Sequence, residues 1–161
     1  MNCSLGKVAA AAALALAAGC ATTAGGPSSK VVYHVNEGVD KAAPALRNVG
    51  NHLSAEPNAK IVVVTHGPGI DFLLEGAKDK NGNPFDATVD TLQAKGVEFR
   101  VCNNTLVSRK IDKSRVIPQA KIVPSGVAEI GRLQAHEGYV YVKPWACPWR
   151  RTTTETTEDA S

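Results

Sequence analysis

The most constraining feature of this sequence is the segment 58–65, which reads NAKIVVVT. Residues 61–64 are all apolar and β-branched, a composition that favours a β-strand. A strand with no polar position among them must be covered on both faces, as strands in parallel sheets are when helices pack on either side. The segment therefore predicts a central strand of an α/β domain.

Other strand patterns alternate with helical patterns along the chain. The predicted strands are residues 30–35, 58–65, 97–102, 121–123 and 139–143. Between the first two, an apolar stripe recurs at spacings of three and four, formed by Val39, Ala42, Leu46, Val49 and Leu53. Residues 70–77 are expected to form a short second helix. This alternation predicts a three-layer α/β/α sandwich around a mainly parallel five-stranded sheet.

The N-terminus has the pattern of an export signal. Lys7 precedes an apolar run at residues 8–18, which is shorter than the roughly 20 residues of a membrane-spanning helix. Residues 16–20, LAAGC, resemble a lipobox, in which Cys20 carries the lipid after cleavage. The alternative is ordinary secretion with cleavage at a nearby alanine. Both interpretations place the protein in the periplasm or cell envelope, and the first anchors it to the membrane through Cys20 alone.

Four segments are predicted from these patterns. Residues 1–19 form the signal peptide, residues 20–29 a flexible linker, residues 30–144 the folded domain, and residues 145–161 a tail that is rich in Trp and Pro and then in Thr. The formal net charge is only +3, and the chain has no long run of Lys or Arg. Nucleic acid is therefore not an expected partner.

Processing reduces the number of cysteines available for chemistry. Of the four cysteines, Cys3 leaves with the signal and Cys20 would be acylated, so Cys102 and Cys147 remain. In an oxidising compartment, two remaining cysteines can form a disulfide, or Cys147 can act as a resolving thiol for Cys102. No CxxC motif or zinc-type Cys/His spacing is present, so neither a metal nor a cofactor is expected.

Polar and nucleophilic residues follow the predicted strands at their carboxyl ends, where parallel sheets bind ligands. Cys102 is the candidate nucleophile, although a lone cysteine at the end of a strand is more often a small core residue. His34 is expected to pack within its strand. The candidate binding residues beside Cys102 are Asn36, His66, Asn103, Asn104 and Ser125.

Several motifs occur in the order found in the DsrE/DsrF-like family, which the chain resembles over residues 30–144. They are His66-Gly67-Pro68-Gly69, the segment GVEFRVCN at 96–103, VPSGVAEI at 123–130 followed by Gln134, and GYVYVKP at 138–144. The resemblance implies a compact α/β sandwich that assembles into trimers or hexamers. It also implies that Cys102 accepts a sulfur atom and carries it as a persulfide.

Two functions follow from these observations. In the first, the protein is a sulfur carrier or sulfurtransferase whose partners are sulfur donor and acceptor proteins or small thiols. In the second, it is a non-catalytic envelope module that binds a ligand or forms oligomers, with Cys102 structural or bridged to Cys147.

Overall fold

The computed structural model describes residues 28–144. The predicted signal peptide, the acylation site at Cys20, most of the predicted linker and the tail with Cys147 lie outside the described residues. Ser29, the last residue of the predicted linker, lies inside them, and its hydroxyl donates to Glu56 Oε2 at 2.7 Å.

Strands and helices alternate through the described part of the chain. Its strands are β1 (Lys30–Val35), β2 (Lys60–Thr65), β3 (Glu98–Cys102), β4 (Ala120–Val123) and β5 (Val140–Val142). Its α-helices are α1 (Val39–Ala55), α2 (Phe85–Ala94), α3 (Asn103–Ser108) and α4 (Gly126–Glu137). Two 3-10 segments, Gly67–Leu73 and Lys113–Arg115, follow β2 and α3.

The five strands form one sheet in the order β4-β3-β2-β1-β5, and every pair of neighbours is parallel. The register pairs Val35 with Thr65, and Thr65 in turn with Val101. Cys102 pairs with Val123. The carboxyl ends of the strands therefore meet at one edge of the sheet. The predicted five-stranded parallel α/β fold is confirmed.

The core lies on both faces of this sheet. On one face, Ile61 and Val63 belong to a large apolar cluster with residues of α1 and α2. On the other face, Val62 and Val64 pack with Ile130 and Leu133 of α4. Each fully buried valine contributes about 1.5–3 kcal/mol, so the unbroken apolar run of β2 stabilises both layers at once.

The predicted short helix after β2 is present, but its predicted bounds, residues 70–77, are wrong. The chain after β2 forms the 3-10 segment Gly67–Leu73, and Leu74 then makes an antiparallel bridge with Val116. A Cβ atom on Gly69 would lie 2.2 Å from the carbonyl oxygen of Val35, so this segment is held directly against the end of β1. The apolar spacing that suggested this helix buries Ile70 and Leu73.

The helix α4 is capped at both ends. Ser125 is its N-cap, and the Ser125 hydroxyl oxygen accepts from the backbone N–H of Ala128 at 3.4 Å. Gly138 ends the helix with a φ of 72°, a left-handed conformation that favours glycine. These caps fix where the first turn of α4 lies relative to the carboxyl edge of the sheet.

Candidate thiol site

Cys102 is the last residue of β3 and the N-cap of α3. Cys102 has no disulfide partner among residues 28–144, and only 4% of its surface is exposed. The strand delivers it to the carboxyl edge of the sheet, as the sequence predicts. Its sulfur is therefore held in a defined place and largely shielded from water.

Hydrogen-bond donors surround the Cys102 sulfur. Burial by itself raises the pKa of this thiol, because it disfavours the charged thiolate. The backbone N–H of Gly126, both the hydroxyl and the N–H of Thr105, and the N–H of Asn104 lower it. The donors outweigh burial, and the pKa of Cys102 lies below its ordinary value. The site therefore stabilises a thiolate, which is the nucleophilic form of cysteine.

Thr105 links the thiol to the segment that follows β2. Its hydroxyl oxygen accepts from the backbone N–H of Gly67 at 2.9 Å. That hydrogen bond leaves the hydroxyl proton available to the Cys102 sulfur, to which Thr105 also donates. Because Thr105 is itself buried, its orientation is fixed by these two contacts.

Gly126 occupies the centre of the site because it has no side chain. A Cβ atom there would lie 3.1 Å from the carbonyl oxygen of Thr65 and 3.2 Å from the Cβ atoms of both Cys102 and His66. The Cβ atoms of Cys102 and His66 are therefore no further apart than twice 3.2 Å. The thiol and the imidazole flank the first residue of α4.

The imidazole of His66 belongs to a hydrogen-bonded chain of three side chains. His66 Nε2 lies 2.6 Å from His34 Nε2, and His34 Nδ1 lies 2.7 Å from the hydroxyl of Tyr141. Burial, His66 and Lys143 together lower the pKa of His34 to about 4, against a smaller opposing effect of Glu37. Burial and then Lys143 also lower the pKa of His66. Both rings are therefore neutral near pH 7.

An ion pair borders these rings. Lys143 Nζ lies 2.7 Å from Glu37 Oε1, and Lys143 also donates to the side-chain oxygen of Asn36. Residues 36 and 37 follow β1, whereas residue 143 follows β5, so the pairing of these two strands creates the contact. The ammonium group is thus partly neutralised where it faces the histidines.

The predicted site residues take different roles in this arrangement. His66 and Asn36 lie on the same edge as Cys102. The backbone N–H of Asn104 donates to the carbonyl oxygen of Pro124 at 3.3 Å and also lowers the pKa of the Cys102 thiol. Ser125 uses its hydroxyl to cap α4. Asn103 has a buried side-chain oxygen with no hydrogen-bond partner among residues 28–144.

Sequence reasoning missed five residues of the site. They are His34, Thr105, Gly126, Tyr141 and Lys143. His34 was placed at the carboxyl end of β1 but was expected to pack there rather than to act as a base, yet its ring bonds to His66. The position of His34 near the end of a parallel strand was a usable signal. Tyr141 had none, because nothing in the sequence shows that β5 pairs with β1.

Within residues 28–144, no group of three or more His, Cys, Asp or Glu side chains is arranged to hold a metal ion. None of the helices in that range has the length and apolar character needed to cross a membrane.

The fold and the site define an α/β protein with a parallel sheet and a stabilised thiol at its carboxyl edge. The model of the DsrE/DsrF-like family matches residues 7–144, and the chain belongs to this family. No curated protein matches the sequence.

Two solved structures are similar to this chain. One is MTH1491 from Methanobacterium thermoautotrophicum, a protein of unknown function, with 28% identity and a TM-score of 0.65; the match covers 73% of this chain and 100% of that one. The other is the ychN protein from E. coli, with 18% identity and a TM-score of 0.60, covering 71% of this chain and 97% of that one. The second shows likeness of fold alone.

Proposed function

We propose that this protein is an exported sulfur carrier or sulfurtransferase that forms a persulfide on Cys102. The observation that carries the proposal is the set of donors on the Cys102 sulfur: three backbone N–H groups and the Thr105 hydroxyl. They stabilise negative charge on the sulfur. A carrier needs this stabilisation twice, when the thiolate attacks and again when it leaves.

The chemistry is an exchange of sulfur between thiols. The Cys102 thiolate attacks the outer sulfur of a donor persulfide, a new S–S bond forms, and the donor departs as a thiolate with the electron pair of its broken S–S bond. The thiolate of an acceptor then attacks the outer sulfur of the Cys102 persulfide. Cys102 leaves as the thiolate that its donors stabilise, and no external oxidant or reductant is consumed.

The location and assembly of the protein are part of the proposal. The signal-like residues 1–19 and the lipobox-like Cys20 support a periplasmic or envelope protein that is anchored by lipid. Val127 and Val140 are apolar and more than 60% exposed, and no strand within residues 28–144 pairs with the outer edge of β5. Exposed apolar residues and an unpaired strand edge support assembly into a trimer or hexamer.

The test is transfer of sulfur to the mature protein from polysulfide, or from thiosulfate with a donor enzyme. We expect the peptide that contains Cys102 to gain the mass of one sulfur atom, and the Cys102→Ser variant to gain none. The matched control is Cys147→Ser, which removes the other thiol of the mature protein and should keep the adduct. An adduct found only on Cys147, or on neither cysteine, contradicts the proposal.

A second candidate is favoured by the 4% exposure of Cys102. A cysteine this well covered can be structural, in a module whose function lies in ligand binding or oligomer formation. Cys102→Ser would then assemble and bind as the wild type does. Thiol titration of the unreduced protein separates the cases: a carrier has a fast thiol at Cys102, a structural cysteine a slow one, and a disulfide to Cys147 none.

A further inference from the structure

The side chains of His66, His34 and Tyr141 connect the buried thiol site to the surface. Two hydrogen bonds join them, at 2.6 Å between the imidazoles and at 2.7 Å to the tyrosine hydroxyl. Tyr141 is 39% exposed, whereas Cys102 is 4% exposed. The chain thus begins at His66, whose Cβ atom flanks Gly126 opposite the Cβ atom of Cys102, and ends at an exposed tyrosine.

We infer that this chain is a proton relay, in which His66 takes the proton from the thiol that attacks at Cys102 and passes it through His34 and Tyr141 to solvent. The inference rests on the proposed function, since it assigns the base for the transfer step. It adds a catalytic role for His66 and positioning roles for His34 and Tyr141.

The transfer step needs such a base. An ordinary thiol has a pKa of roughly 8.5, so an acceptor thiol arrives mainly protonated at neutral pH. The donors around Cys102 stabilise the leaving thiolate, but they are all N–H or O–H groups and cannot accept a proton. In a site that is shielded from water, the acceptor must lose its proton to a neighbouring side chain.

The three side chains can pass a proton from the acceptor thiol to water, and each transfer runs between two named atoms. The acceptor proton binds His66 Nδ1, the proton on His66 Nε2 moves to His34 Nε2, and the proton on His34 Nδ1 moves to the Tyr141 oxygen. Tyr141 releases its own hydroxyl proton to water. Each group ends neutral, and the reverse rotation of the rings and the hydroxyl restores the starting tautomers.

The groups around His34 and His66 hold both rings in the neutral form, in which one ring nitrogen can accept a proton. Burial lowers the pKa of both rings, and Lys143 lowers it further, while Glu37 acts in the opposite sense. Glu129, in the first turn of α4, is held by Arg100 and Arg132. Both histidines are therefore neutral when the acceptor arrives near pH 7, and each ring carries one proton.

The experiment uses a reaction that does not require a persulfide. Methyl methanethiosulfonate converts Cys102 of the full protein to a methyl disulfide, and 2-mercaptoethanol then reduces it while peptide masses report the state of Cys102. The wild type should lose less than tenfold in rate per pH unit between pH 8 and 6. The rate of the His66→Asn variant should fall about tenfold for each pH unit, because the reaction then depends on the ionised fraction of the free thiol. At pH 6 this variant should be about 10²-fold slower than the wild type.

Tyr141→Phe keeps the aromatic ring and its packing. Its rate should depend on pH in the same way as that of His66→Asn, but the loss of rate should be smaller. Imidazole added to the buffer should restore part of the rate of His66→Asn. The matched control is Tyr33→Phe, because the Tyr33 hydroxyl also contacts a histidine, with 3.0 Å to His52 Nδ1. This control should keep the wild-type profile.

The relay is overturned if His66→Asn keeps the wild-type pH profile, or if Tyr33→Phe loses as much as Tyr141→Phe. Failure of Cys102 to form a persulfide counts against the sulfur-carrier proposal. It leaves this assay interpretable, because the methyl disulfide replaces the persulfide.

Discussion

Replacing Gly126 with alanine tests how the first turn of α4 controls the thiol. The added Cβ atom would lie 3.1 Å from the carbonyl oxygen of Thr65 and 3.2 Å from the Cβ atom of Cys102. These contacts are closer than ordinary van der Waals distance, so α4 must move by a few tenths of an ångström. The backbone N–H of Gly126, which donates to the Cys102 sulfur, moves with it.

The size of the effect follows from that hydrogen bond. A hydrogen bond to a charged group contributes about 1.5–3 kcal/mol. Since one pKa unit corresponds to about 1.36 kcal/mol, complete loss of the bond would raise the thiol pKa by roughly one to two units. A displaced but surviving bond should raise it by about one unit, which means about tenfold less thiolate at a pH below the pKa.

The assay is the rate of alkylation of Cys102 by iodoacetamide as a function of pH, read on its peptide. The matched control is Gly131→Ala in the same helix, where a Cβ atom would meet nothing within 4 Å. This control should leave the thiol pKa unchanged and stabilise the protein by up to about 1 kcal/mol. The reasoning is refuted if a folded Gly126→Ala protein has the wild-type thiol pKa, or if Gly131→Ala shifts it equally.

Three further predictions concern the surroundings of the thiol. Thr105→Val removes the hydroxyl that donates to Cys102 and accepts from Gly67, so the pKa of the Cys102 thiol, measured by alkylation, should rise. The free energy of unfolding in urea should fall by about 1–3 kcal/mol. The control Thr91→Val, on the exposed surface of a helix, should change neither quantity. Gly69→Ala places a Cβ atom 2.2 Å from the Val35 carbonyl oxygen, so it should lower the free energy of unfolding by at least about 1–3 kcal/mol in the same assay. The control Gly38→Ala, with open space around the new Cβ atom, should lower it by less. The pKa of His34 is lowered from 6.5 to about 4, so the unfolded chain binds more protons than the folded protein between these pH values. The free energy of unfolding should therefore fall as the pH drops from 6.5 towards 4. If the His34→Gln variant shows the same pH dependence as the wild type, the assignment to His34 is contradicted.

The sequence by itself determined the sheet and the address of the thiol. The apolar run of β2 required cover on both faces, and Val62 and Val64 face α4 while Ile61 and Val63 face the other layer. Because parallel strands share one carboxyl edge, the strand that ends on Cys102 also fixed where that residue lies. These inferences succeed because the alternation of side chains along a strand, and its burial, can be inferred from residues that are neighbours in the sequence.

The tertiary structure alone decided what surrounds the sulfur. Local apolar spacing predicted a short helix at residues 70–77, whereas the chain forms a 3-10 segment at Gly67–Leu73, in which Gly69 lies against Val35. Tyr141 reaches His34 across 107 positions of sequence, and only the pairing of β5 with β1 brings them together. Strand order and the placement of α4 depend on contacts between distant segments, which leave no periodic pattern in the sequence. For that reason the thiol could be located from the sequence, whereas its hydrogen-bond donors and its neighbouring histidine pair could not.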